Sequence, residues 1–116
     1  MKIFLAVFIG SVSQEQKSAQ KPMSPEDQQA GMAAWGAWVH NNHESIVDMG
    51  SPLGKTKRIG REGISAIENR DTAYVIVQAD SHEAAAKLFL NHPHFMIFPG
   101  DSVEVMECLP MPGAKN

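Results

Sequence analysis

Ile3-Phe4-Leu5-Ala6-Val7-Phe8-Ile9 is apolar at every position. A strand with one solvated face alternates apolar and polar residues, so an unbroken apolar run marks a strand that is covered on both faces and central in its sheet. Gly10 ends the run. Tyr74-Val75-Ile76-Val77-Gln78-Ala79 reads the same way, as a second internal strand. With Met1-Lys2 before it and Ser11-Val12-Ser13 after it, the first run also scans as a short secretory signal. It sits at the lower limit of the ~7–15 apolar residues of a signal core, with one preceding lysine, and it is far too short to span a bilayer. It is read here as the first strand.

The segments between these strands carry their own signals. Residues 11–23 are polar and aperiodic, which suits a loop. Ser24-Pro25-Glu26-Asp27 opens a helix, with Ser24 as N-cap, Pro25 at the first helical position and two acids at the positive end of the dipole. Met32, Trp35 and Val39 then recur at helical spacing, and Ala34, Ala37 and Trp38 widen the stripe. Gly31 and Gly36 each cost up to ~1 kcal/mol relative to alanine there, which suggests close approach of a strand. Asn41-Asn42 suits the helix end. A short strand over residues 46–50 runs into the Ser51-Pro52-Leu53-Gly54 turn, and residues 55–61 and 64–67 supply a further strand region with a bulge or break at Gly60 and Gly63. Asp80-Ser81-His82-Glu83 predicts a capping box with Asp80 as the cap. Ala84, Ala85, Leu88 and Phe89 face the core from that second helix, which Pro93 ends. After a loop over residues 92–100 comes the last strand at 103–109, then a tail.

The order β-α-β-β-α-β predicts an α+β, ferredoxin-like fold, a four-stranded antiparallel sheet with both helices on one face. That leaves the other face bare, yet both long strands call for cover on two sides, and 116 residues hold no third layer. The economical cover is a second copy of the chain, so a homodimer is expected. A net charge of −3 supplies no field that would attract nucleic acid or an anionic membrane, which leaves small molecules and proteins as partners. Cys108 is the single cysteine; it excludes an intrachain disulfide and fits a reducing, cytoplasmic location.

Asp48-Met49-Gly50-Ser51-Pro52-Leu53-Gly54 and His92-Pro93-His94-Phe95-Met96-Ile97-Phe98-Pro99-Gly100, leading into Ser102-Val103-Glu104-Val105-Met106-Glu107, resemble the YCII-related (YciI-like, DGPF) family. The resemblance covers roughly residues 1–112, with 113–116 a short tail. It implies a dimeric α/β barrel of two ferredoxin-like protomers, and it selects no reaction, since this fold hosts many chemistries. The family is associated with a His–Asp pair whose histidine lies on the first helix. Here that helix reads Met32-Ala33-Ala34-Trp35-Gly36-Ala37-Trp38, with no histidine before His40. By position Asp48 matches the acid, and its partner has to come from His40, His43 or the second half of the chain.

The catalytic candidates are therefore Asp48 and His94, with Trp35, Trp38 and His92 as ligand-binding candidates. A carboxylate at the mouth of a pocket can carry a proton when burial raises its pKa; the alternative for Asp48 is a turn-forming role. His92 and His94, one residue apart, share a face of an extended segment and titrate near neutrality. Two ligands do not make a metal site, so no metal or cofactor is expected, and the alternative is a helix cap and a loop hydrogen bond. Trp35 and Trp38 line one side of a cavity or serve as plain core. Lys55, Lys57, Arg58 and Arg61 form the one basic cluster, suited to an anionic ligand or to blocking edge pairing. A small-molecule enzyme or binder and a non-catalytic dimeric accessory module both fit these features.

Overall fold

The computed structural model describes residues 1–11, 24–96 and 100–113. The protein is α+β. Its main sheet uses β1 (Lys2–Gly10), β2 (Ile46–Pro52), β5 (Asp71–Ala79) and β6 (Gly100–Glu107) in the order β2-β5-β1-β6, with every pair antiparallel. The helices are α1 (Pro25–Asn41), α2 (His82–Lys87) and the four-residue α3 (Pro93–Met96), with a single 3-10 turn at His43–Ser45. The expected loop over residues 11–23 lies outside the described residues beyond Ser11, as do residues 97–99 of the 92–100 loop and 114–116 of the tail.

The all-apolar run becomes the inner strand β1, bonded to β5 on one side and β6 on the other. Its even-numbered residues Phe4, Ala6 and Phe8 are fully buried and meet Val75, Val77 and Ala79 of β5 under Trp38, Ala85 and Phe89. Burying a side chain such as Phe4 or Phe8 contributes roughly 1.5–3 kcal/mol. Register puts Leu5 opposite Ile76 and Met106, and Val7 opposite Tyr74 and Glu104, on the other face. Among the described residues the helices pack on the Phe4 face, and on the opposite face Leu5 and Val7 are only half-buried.

The helices depart from expectation in ways their packing explains. The inner stripe of α1 is Gly31, Ala34, Trp35, Trp38 and Val39, a strict helical repeat, while Met32 is 73% exposed and Ala37 also faces solvent. Gly31 is buried, but Gly36 is exposed with open space around it, so only the first glycine sits where close approach is needed. Ser81, not Asp80, caps α2: its hydroxyl accepts from the Ala84 N–H at 3.1 Å, while Glu83 lies 3.9 Å from Lys87 at the surface. Pro93 does not end α2, which stops at Lys87 and turns through Asn91 at φ 59°; Pro93 starts α3.

Residues 55–67 also differ from expectation. They form a separate hairpin, β3 (Thr56–Gly60) and β4 (Gly63–Ile67), whose strands bond only to each other and turn at Arg61-Glu62. The last strand starts at Gly100 rather than 103.

Gly36→Ala tests the description of α1. With no neighbour to crowd the added methyl, it is expected to stabilise the protein by about 0.5–1 kcal/mol, seen as a higher urea midpoint at unchanged slope. A lowered midpoint would contradict the exposed setting of Gly36.

Candidate functional site

The segment after α2 builds the site. Tightening turns carry the chain through Leu88, Phe89 and Leu90, and the His92 N–H donates to the Phe89 carbonyl at 3.3 Å. His92 then caps α3: its Nδ1 accepts from the His94 N–H at 3.0 Å, and its carbonyl accepts from Phe95 at 2.9 Å. Proline fits between the two histidines because the first helical residue needs no N–H and its φ is preset.

His92 is fully buried, walled by rings. Trp35 stands edge-to-face at 4.5 Å between centroids and 83°, Trp38 at 4.5 Å and 64°, and Phe8 and Phe89 lie at 4.9 and 6.1 Å. The inner face of α1 delivers both tryptophans, and the Trp38 Nε1–H ties that helix to the Leu88 carbonyl at 2.9 Å. Because Nδ1 accepts a hydrogen bond, the neutral ring carries its proton on Nε2, and Nε2 finds no hydrogen-bond partner among the described residues. Burial, and then repulsion from His94, lowers the His92 pKa to about 4. At neutral pH it is an uncharged imidazole with a spare N–H.

His94, 4% exposed, does different work. Its Nε2–H is shared between the Ile9 carbonyl at 2.8 Å and the Ser102 carbonyl at 3.1 Å. Both acceptors lie where the register of β1 slips, against β5 after Phe8 and against β6 after Ile9. The His94 ring fits because residue 100 is glycine; a Cβ there would collide with it.

Asp48 is not brought to these groups. It is exposed on the edge strand β2, and its pairing with Ile76 sets it on the uncovered face of the sheet, whereas both histidines pack on the helix face. Its Oδ1 accepts from the Gly50 N–H at 2.8 Å, closing a bulge in which Gly50 takes φ +70° and an added Cβ would collide with the Tyr74 carbonyl. His40 and His43 stay at the exposed end of α1, where the His43 Nδ1–H donates to the His40 carbonyl at 2.9 Å. Thus Trp35, Trp38, His92 and His94 converge and Asp48 does not. Phe8 and Phe89 complete the box; their sequence signal is that of any core residue. No group of three or more His, Cys, Asp or Glu able to hold a metal ion occurs among the described residues.

Beside the box an open, mostly apolar cleft of about 360 Å³ runs between the end of α2, α3 and β6, lined by Ala86, Phe89, Leu90, Phe95, Val103 and Val105 with Asn91 as its polar member. The Phe89 side chain belongs to both, so it forms the wall between cleft and imidazole.

No family model matches the chain, and no curated protein matches it significantly. Among solved structures it is similar to 5-chloro-2-hydroxyhydroquinone dehydrochlorinase (TftG) of Burkholderia phenoliruptrix AC1100, determined in complex with 2,5-dihydroxybenzoquinone. The TM-score is 0.55 at 16% identity, over 97% of this chain and 99% of that one. At that identity the likeness is one of fold. Among the described residues no helix is long and apolar enough to cross a membrane.

The depressed pKa of His92 sets a pH dependence. The unfolded chain takes up a proton near 6.5 and the folded chain only near 4, so stability is complete above about pH 6.5 and falls as the pH drops toward 4. His92→Asn keeps an acceptor for the His94 N–H but does not titrate. Between pH 7 and pH 5 the native protein is expected to lose about 2 kcal/mol more than this variant, measured by urea unfolding at each pH. Equal losses would show that His92 is not held neutral.

Proposed function

We propose that the protein binds, and in its cellular setting transforms, a small planar molecule bearing ring oxygens, in a pocket between the helices and the sheet. The observation that carries this reading is the buried His92 Nε2–H, without a hydrogen-bond partner among the described residues, on a ring that contacts both tryptophans. A neutral imidazole N–H in an apolar enclosure is a strong donor to a carbonyl or phenolate oxygen, and it stabilises charge that develops there. The quinone bound by the dehydrochlorinase of like fold is a ligand of this chemical class. In this reading His94 positions His92 through its backbone N–H, and Asp48 stays with the sheet face.

The same proposal takes the chain as a YCII-type protein that pairs its uncovered sheet faces in a two-fold dimer, a barrel of two ferredoxin-like protomers. What supports it is the strand order β2-β5-β1-β6 and the apolar row Leu5, Val7, Ile76 and Met106 on the open face. A cytoplasmic location belongs to this reading too, resting on the single, exposed Cys108.

A second reading, a non-catalytic dimeric accessory module, draws on one observation: the His94 Nε2–H is consumed by strand carbonyls and both tryptophans pack in the core. The two readings part on ligand binding. Trp35 and Trp38 are the only tryptophans of the chain, so their fluorescence reports directly on the box. Titration with 2,5-dihydroxybenzoquinone, corrected for absorbance, is expected to quench it saturably, and His92→Asn to weaken the affinity by about 1–3 kcal/mol, the cost of losing one buried hydrogen bond. Linear, unsaturable quenching identical in both proteins would favour the accessory module.

A further inference from the structure

The β3–β4 hairpin and the cleft beside the histidine box are both left open. Among the described residues the two strands of the hairpin bond only to each other, and a lone hairpin is marginal in water. Its root is held: the Asn69 Nδ2–H donates to the Thr56 hydroxyl at 2.9 Å, and the Asn69 Oδ1 accepts from the Asp71 N–H at 3.1 Å, where β5 begins. Beyond that root Ile59 and Ile64 stand opposite each other, 75% and 72% exposed. The cleft shows the same unmet apolarity. Leu90 and Phe95 on its wall are 69% and 43% exposed. Its floor belongs to the helix face of the sheet, since Val103 pairs with Phe8 and Val105 with Ala6.

We propose that the arm of one protomer seats its isoleucine pair in this cleft of a second copy, reciprocally, so that each site is completed by the other chain. The inference rests on the dimer reading above, whose sheet-to-sheet contact uses the opposite face and leaves the helix face free. Register brings arm and cleft together. Ile9 pairs with Asp71 of β5 and with Ser102 of β6, and Pro52 of β2 pairs with Ala73, so the arm leaves the sheet at the end where β6 begins. A two-fold axis along the strands, between sheets laid face to face, sets β2 of one protomer over β6 of the other with those ends together. The arm then starts beside the edge of the partner's β6, and the cleft lies just round that edge. Each arm strand has five residues, roughly 17 Å at ~3.3 Å per residue against ~10 Å between packed sheets, so the arm reaches past the partner's sheet.

Charge selects the same occupant. Residues 55–68 carry Lys55, Lys57, Arg58 and Arg61 against Glu62 and Glu68, a net +2, which leaves −5 on the remainder of a chain of net −3. On the arm Lys57 and Arg61 stand either side of Ile59. On β6 the exposed Asp101 and, opposite Phe4 on the helix face, Glu107 stand either side of Val103 and Val105. Lys87 of α2 lies 3.9 Å from Glu83 and so adds little positive charge there. Nucleic acid is a poorer partner for the arm, because no aromatic side chain stands among its basic residues. Because Phe89 lines the cleft and also meets the His92 ring, the seated isoleucines cover the outer side of the box.

Cross-linking of the full chain in a Cys108→Ser background tests this, with sedimentation equilibrium of the native protein alongside. Ile59→Cys and Leu90→Cys proteins, mixed and oxidised, are expected to form a disulfide-linked species of twice the chain mass that neither forms alone. Ile59→Cys mixed with Met32→Cys, whose site is exposed on α1 outside the cleft, is expected to form none. Ile59→Ser/Ile64→Ser alters only side chains exposed in the single chain, and is expected to raise the dimer dissociation constant about tenfold with unchanged circular dichroism. Lys57→Glu is expected to weaken the dimer and added Asp101→Lys to recover it. A native dimer in which Ile59→Cys fails to link to Leu90→Cys, or links equally to Met32→Cys, would overturn the clasp and leave the sheet-to-sheet dimer standing. A native protein that stays monomeric at tens of micromolar would overturn both.

Discussion

A single imidazole N–H, shared by the carbonyls of Ile9 and Ser102, closes the end of the sheet at which Trp35, Trp38, His92 and His94 collect. Strand β1 changes register against both neighbours within two residues there, and such slips leave strand carbonyls without ladder partners. Buried carbonyls need donors. His94 reaches in from α3 to supply one, and Gly100 leaves the room for its ring. Because its Nε2–H faces two strand acceptors, His94 is anchored; because it is anchored, its backbone N–H is fixed beneath Nδ1 of His92 at 3.0 Å. The tautomer of His92 follows, and with it the direction of its spare proton.

The site is therefore a relay of constraints ending in one uncompensated polar atom. Leaving a buried donor without an acceptor costs about 1–3 kcal/mol. A phenylalanine in the same box would remove that donor but leave the buried His94 N–H without its acceptor. In the proposed reading a ligand oxygen placed at Nε2 would recover the cost of the unpartnered donor, and that recovery would contribute to affinity. The depressed pKa has the same origin: the enclosure that leaves the N–H unpartnered also disfavours a second proton on the ring.

Much of the fold was legible in the sequence. The strands Ile3 to Ile9 and Tyr74 to Ala79 announce themselves by unbroken apolarity, and Ser24-Pro25 marks the start of α1 where the Ser24 hydroxyl accepts from Asp27. Pro93 misled because proline both ends helices and opens them; only the cap formed by His92 decides between the two. The stripe of α1 held at Ala34, Trp35, Trp38 and Val39 and failed at Met32 and Ala37, because methionine at 32 outweighs glycine at 31 on any hydropathy count, although it is the glycine that turns inward. Residues 55–67 have strand character, but periodicity cannot say that the strands leave the main sheet. The pairing of Trp35, Trp38, His92 and His94 was readable as a set of residue types. Asp48 was joined to them by family position, and local chemistry instead commits it to the Gly50 bulge on the opposite face. Nothing local to His92 foretells which of its nitrogens stays unpartnered, because the ring walls come from β1, α1 and the turn after α2.

The site turns on the protonation of one ring, and long-range 1H–15N correlation spectra of the histidine side chains across pH 4 to 8 read it directly. The expected result is one histidine, absent from the spectrum of His92→Asn, that keeps the neutral Nε2–H pattern down to about pH 5 and titrates toward the value near 4. A His92 resonance that titrates near 6.5 with both nitrogens moving together would place the ring in water, and the enclosed donor on which the proposed site depends would not exist.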